Sequence, residues 1–215
     1  MNGASAQTIP AAIFSGNGIK SLTINNNAGV TLGGALSITD VLTVSNGSLA
    51  ADGYLTLKST ASATARVAPI TSAAITPISG NVIAERYIPG RRKYRLITSS
   101  VTTSASATLT AGQESLSIWG NWQNGGNNAI ANIGTIITGG SSADGFDPQT
   151  INASLYTYND ATRYFVRFNS ANGKNTKYTP LKAGVAYYMF VYGDRTNTIT
   201  TSSTKNTVIS STGTY

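Results

Sequence analysis

The chain has 215 residues, with 15 Lys or Arg against 8 Asp or Glu for a formal net charge of +7, and it contains neither histidine nor cysteine. Those two absences remove thiol nucleophiles, disulfides, Ser-His pairs and nearly every zinc or iron site, so most enzyme classes drop out at once. A charged fraction of only 11%, with abundant Gly, Ser, Thr and Asn, favours an all-β protein of one large or two small domains.

Residues 1–18 read as an N-terminal arm. Within it Ala4-Ser5-Ala6 before Gln7 resembles the small-residue end of a signal peptide, and equally a plain flexible end behind Met1. Residues 19–68 follow a different rule. Leu22-Thr23-Ile24, Val30-Thr31-Leu32, Leu36-Ser37-Ile38, Leu42-Thr43-Val44 and Leu55-Thr56-Leu57 repeat one unit, a hydroxyl residue between two apolar ones. Strand side chains alternate faces, so each triplet buries its outer residues and shows the hydroxyl to solvent. The triplets are too short to fold alone and recur at close to twenty residues, Leu22 to Leu42 and Leu36 to Leu55. That spacing predicts a short β-solenoid of about two coils, whose open ladder edges need capping, joining or pairing with another chain.

Residues 69–80, within an Ala-, Ser-, Thr- and Pro-rich stretch, form the junction, and an antiparallel β-sandwich is expected over 81–215. Its clearest strands are Asn81 to Ile88, Tyr94 to Ser99, Ser154 to Tyr158, Arg163 to Phe168 and Val185 to Tyr192, with turns at Asn124 to Asn128, Gly139 to Gly145 and Ala171 to Lys174. Val185 to Tyr192 is apolar on both faces, which predicts a central strand covered on both sides. No apolar run approaches membrane-spanning length.

The stretch from Gly80 to Thr98 (GNVIAERYIPGRRKYRLIT) resembles a module of large surface proteins in Bacteroidetes-type bacteria. The likeness continues through Trp119 to Gly126, Gly134 to Gly139, Gly145-Phe146-Asp147, Ser154 to Asn159 and Phe190 to Arg195, while Ile19 to Asn46 resembles the β-helical repeats that accompany the module. The chain departs from that pattern at Ile136 and Tyr192, where His and Arg are frequent. The resemblance implies an extracellular, non-catalytic β module exported by type IX secretion. It implies no ligand and no binding residue.

Several constellations compete as sites. Trp119 and Trp122, with Asn121 and Gln123, form a candidate glycan-binding loop, since flat aromatics stack on sugar rings while amides bond hydroxyls; the alternative is that both indoles anchor the loop. Arg91 and Arg92, in the turn Pro89-Gly90-Arg91-Arg92, are suited to clamping a carboxylate or sulfate, against a structural role in which Arg86 and Arg95 pair with Glu85 or Asp194. Asp144 and Asp147 are a weak calcium candidate, few for an oxygen-only shell and set in ordinary Asp-Gly and Asp-Pro turns. Apart from that ion no cofactor is expected. Glu85 and Glu114, the only glutamates, offer no facing catalytic pair, and Ser202-x-x-Lys205 lies in a β-branched tail rather than at a helix start. Strands divide the basic cluster Arg86, Arg91, Arg92, Lys93 and Arg95 between two faces, so nucleic acid is not an expected partner.

The reading is therefore a non-enzymatic cell-surface or secreted adhesin module that contacts polysaccharide or other surface components. The alternatives are a self-assembling subunit of a filament or surface layer, joined as a homo-oligomer through open β edges, and a carbohydrate-binding accessory of a secreted enzyme.

Overall fold

A computed structural model describes residues 1–70, 77–124, 134–196, 198–201 and 205–215. The protein is all-β, with a solenoid of about three turns and an antiparallel sheet. Two compact units divide the chain: Met1–Arg86 with Thr212–Tyr215, and Tyr87–Ser211.

The first unit is built from two sheets between which the chain alternates, the successive coils pairing in parallel. One carries Asn2–Gly3 (β1) and Gln7–Ile9 (β2), both against Leu22–Leu32 (β4), then Val41–Ala50 (β6), and beyond it Arg66–Val67 (β8) and Ile78–Ser79 (β9). The other runs from Gly18–Ile19 (β3) through Leu36–Ile38 (β5) and Leu55–Leu57 (β7) to Asn81–Ile88 (β10); the sheet order continues to Thr207–Thr214 (β15), whose last residues, from Thr212, belong to this unit. Register follows the triplets: Leu22, Thr23 and Ile24 face Leu42, Thr43 and Val44, while Leu36, Ser37 and Ile38 face Leu55, Thr56 and Leu57. The outer residue of every triplet is buried, Thr23 and Thr31 are exposed, and Ser37, Thr43 and Thr56 are half-buried. Ile24, Ile38, Leu42, Leu49 and Leu55 are fully buried in the shared core. Each such aliphatic side chain contributes about 1.5–3 kcal/mol on leaving water, which is what makes strands of three residues stable once stacked.

The solenoid reaches further at both ends than residues 19–68. The arm's β1 and β2 lie in register with β4, and the long strand expected to open the sandwich, β10, instead pairs in parallel with β7. The corner of β4 explains the hold on the arm. Asn26 is fully buried, and its side-chain amide donates to the Ser5 carbonyl (2.8 Å) and to Gln7 Oε1 (3.0 Å) while its Oδ1 accepts from the Ala28 N–H (3.0 Å). A buried amide so satisfied fixes the corner instead of destabilising it. Gly47 stacks on Asn26 in the next rung, with φ of +75°.

The second unit holds a four-stranded antiparallel sheet in the order Lys93–Thr98 (β11), Ala186–Val191 (β14), Leu155–Asn159 (β12), Tyr164–Arg167 (β13). The strand expected to be central is central. Its Tyr187, Met189 and Val191 enter a core with Ile97, Leu155 and Phe168, closed by Ile118, Trp122, Ile137, Phe146 and Leu181. Among the described residues the layer over this face is irregular chain and short helical turns. The opposite face, expected to be covered as well, bears half-buried and exposed aromatic side chains.

A methyl group at Gly47 would place Cβ 1.7 Å from the Asn26 carbonyl oxygen at a φ that L residues avoid. Gly47→Ala is expected to lower unfolding free energy by at least ~2 kcal/mol in chemical denaturation, whereas Gly53→Ala, also at positive φ but with open space around it, costs about half as much or less.

Candidate functional site

Register brings together side chains that are far apart in sequence. Tyr94 of β11 lies opposite Phe190 of β14, Leu96 opposite Tyr188, Tyr156 of β12 opposite Tyr188, and Tyr158 opposite Phe165 of β13. All of these share the outer face, because each alternates with a residue of the inner one. Tyr94 and Tyr188 stack with centroids 4.5 Å apart and planes 7° from parallel. Phe190 meets Tyr94 edge-on at 5.0 Å, Phe165 lies 4.9 Å from Tyr188, and Tyr158 meets Phe165 edge-on at 5.4 Å. Such contacts add about 0.5–1.5 kcal/mol per pair beyond area burial, so the rings are held by one another and present a fixed surface. Tyr94, Tyr158 and Phe165 remain 44–47% exposed, and Leu96 69%.

Beside these rings opens a groove of about 330 Å³ lined by Arg92, Tyr94, Asn152, Ala153, Tyr156, Arg167, Phe190 and Tyr192. The guanidinium of Arg92 lies over Phe190 at 5.7 Å and over Tyr192 at 5.3 Å. Burial, followed by the hydrogen bond with Tyr156 and the neighbouring phenols, pushes the Tyr94 phenol above its ordinary value, so it stays a neutral donor at physiological pH.

Of the residues singled out in the sequence, Arg92 stands in this groove and Arg91 is exposed beside it in the turn. The tryptophan loop is corrected by the structure. Trp119–Gln123 forms a single π-type turn closed by the Asn124 N–H on the Trp119 carbonyl (2.9 Å). That turn carries Trp122 inward, where it is 1% exposed, donates to Ser211 Oγ at 3.0 Å and meets Tyr187 edge-on. Asn121 is buried and donates to the Ser115 and Ser117 carbonyls; Gln123 is buried and donates to the Gly145 carbonyl and Asp147. These three side chains face protein and offer no surface to a ligand. Trp119 is half-buried under the Lys177 ammonium at 6.0 Å. The rest of the expected turn, residues 125–128, and Ser202 lie outside the described residues.

The two aspartates of the calcium candidate serve separate networks. Asp144 Oδ2 accepts from Ser170 (2.5 Å) and Ser141 (2.8 Å) and its Oδ1 from Asn175 (3.2 Å). Asp147 Oδ1 accepts from Arg195 at 2.9 and 3.0 Å, while its Oδ2 accepts from the Ile137 N–H (2.9 Å) and Gln123 (3.0 Å). Among the described residues no three acidic groups gather around a common point, and Arg195 already supplies the positive charge at Asp147. Glu85 pairs with Lys58 at 2.7 Å and Asp194 bonds Thr196, so neither takes the arginine partner expected from sequence.

Hydrogen bonds from Ser170 and then Ser141 hold the Asp144 carboxyl below its ordinary 3.8. A depressed carboxyl stabilises the fold above the unfolded-state value, and that contribution is lost as pH falls through the folded-state value. Asp144→Asn is therefore expected to flatten the decline of the thermal midpoint below about pH 4, read by calorimetry across a pH series. Removing the buried indole in Trp122→Ala is expected to cost about 3–5 kcal/mol of stability, measured by denaturant titration.

Comparison with protein-family models, with curated proteins and with solved structures finds no match for this chain.

Proposed function

We propose that the protein is a non-enzymatic extracellular surface module in which the solenoid serves as spacer and the antiparallel sheet makes contact with glycans. The observation that carries this reading is the outer face of the sheet, where Tyr94, Tyr156, Tyr158, Phe165, Tyr188 and Phe190 form a continuous surface of contacting rings, exposed at Tyr94, Tyr158 and Phe165 and half-buried at the rest. Rigid aromatics with hydroxyl tips suit sugar rings, whose apolar faces stack and whose hydroxyls need partners. A chain without cysteine or histidine suits a role of contact rather than of bond-making, and its resemblance to exported surface modules supports a place outside the cell, bound to polysaccharide or cell-surface components. Among the described residues no helix is long and apolar enough to cross a membrane.

A second reading, self-association into a filament or layer, draws support from the edge strand β13, where Tyr164 is 74% exposed beside Phe165 and the outer ladder edge has no described partner. Concentration-dependent sedimentation separates the two: a monomer throughout the range removes the second reading.

Replacing Tyr158 and Phe165 together by Ser removes apolar area from the exposed part of the face and leaves the inner core untouched. Binding on a glycan array or to whole cells is expected to fall at least tenfold while the thermal midpoint shifts by no more than a few degrees. Retained binding in this variant would eliminate the aromatic face as the contact.

A further inference from the structure

We infer that the groove between Arg92 and Arg167 is an acidic-sugar site, selecting a polysaccharide unit that bears a carboxylate or sulfate over its neutral counterpart. This rests on the glycan-contact reading and adds the ligand's charge to it.

Arg92 and Arg167 line the same groove, and the lining contains no acidic residue. Among the described residues neither takes part in an ion pair, since Lys58–Glu85 and Arg195–Asp147 are the pairs found there. Arginine remains charged at any physiological pH, and its planar fork matches the two oxygens of a carboxylate or sulfate. The Arg92 fork is laid over Phe190 and Tyr192, which restricts its orientation while leaving its N–H edge available. Tyr94, Tyr156 and Phe190 supply ring faces beside the two cations, the two tyrosines add phenol hydroxyls, and Asn152 adds an amide. The volume, about 330 Å³, lies at the small end of ligand pockets, enough for a single charged sugar unit of a longer chain. A neutral sugar would leave two guanidinium groups uncompensated, whereas an anion meets both and gains from the net charge of +7. Extended nucleic acid would need a longer basic track than the two arginines of one short groove.

The test uses the intact chain and polymers matched except for charge. Dextran is compared with dextran sulfate, and a neutral galactan with polygalacturonate, by calorimetry or biolayer interferometry at two salt concentrations. Tighter binding of both acidic polymers, weakened by salt and reduced at least tenfold in Arg92→Gln/Arg167→Gln but not in the charge-matched control Lys20→Gln/Arg66→Gln, is the expected result. Preference for only one acidic polymer supports the site and identifies the anion. Equal binding of neutral and acidic polymers overturns the inference and leaves the glycan reading standing. Failure to bind any of the four, with the aromatic double variant indistinguishable from the parent on arrays, removes both. An equal loss in the Lys20/Arg66 control overturns the site in favour of diffuse charge. Displacement of the acidic polymers by single-stranded DNA at lower concentration overturns it in favour of nucleic acid. Circular dichroism of each variant confirms that a loss reflects the groove, since all four substituted side chains are exposed.

Discussion

Alternation of side chains across an extended strand is the constraint on which both halves of this protein depend. In the solenoid it assigns leucine, isoleucine and valine to a core no single coil possesses, and leaves hydroxyl residues on the outside. In the antiparallel sheet the same two-residue period separates Tyr187, Met189 and Val191 from Tyr188 and Phe190. One strand thus anchors a buried core with one set of residues and displays a ring surface with the other. Shift either ladder by one residue and core and display exchange places.

Local pattern carried much of this, and long-range pairing carried the rest. The offset from Leu22 to Leu42 and from Leu36 to Leu55 is the register found between rungs, because in a stacked coil the repeat length is the neighbour relation. The strands of the antiparallel sheet were also legible from their alternation. Their partners were not: Asn81–Ile88 has the length and pattern of a sandwich strand but joins the parallel sheet, and nothing within eight residues encodes that choice. The aromatic face was hidden for the same reason. Tyr94 and Phe190 become neighbours only through antiparallel pairing across nearly a hundred residues, although Tyr156 with Tyr158, and Tyr188 with Phe190, each standing two apart, were a signal within single strands. The tryptophan loop misled in the opposite direction. Indoles among amides and glycines have the composition of a contact loop, yet one π-type turn and the hydroxyl of Ser211 draw Trp122 inside.

Charge is distributed by scarcity. Of the few carboxylates, Glu85 neutralises Lys58, Asp147 neutralises Arg195, and Asp144 and Asp194 bond hydroxyl, amide or backbone groups. Glu85, Asp147 and Asp194 are used where burial demands compensation, and among the described residues Arg92 and Arg167 take part in neither ion pair. Exposed cations over aromatic rings are less costly than buried ones, and Arg92 over Phe190 and Tyr192 shows how such a residue is kept ordered without a counter-ion.

The first unit contains the chain's two extremities, Met1–Arg86 and Thr212–Tyr215. During synthesis the coils can stack one after another as each short segment emerges, a sequence of local closures that favours rapid folding. The outermost strand of the second sheet, Thr207–Thr214, is made more than a hundred residues after Asn81–Ile88, the strand it lies against. Until then the ladder of Asn81–Ile88 stands open on one side, an interval in which edge-to-edge misassociation competes with completion. The hydroxyl-rich strand Thr207–Thr214 thereby closes its ladder later than the coils, whose contacts are local.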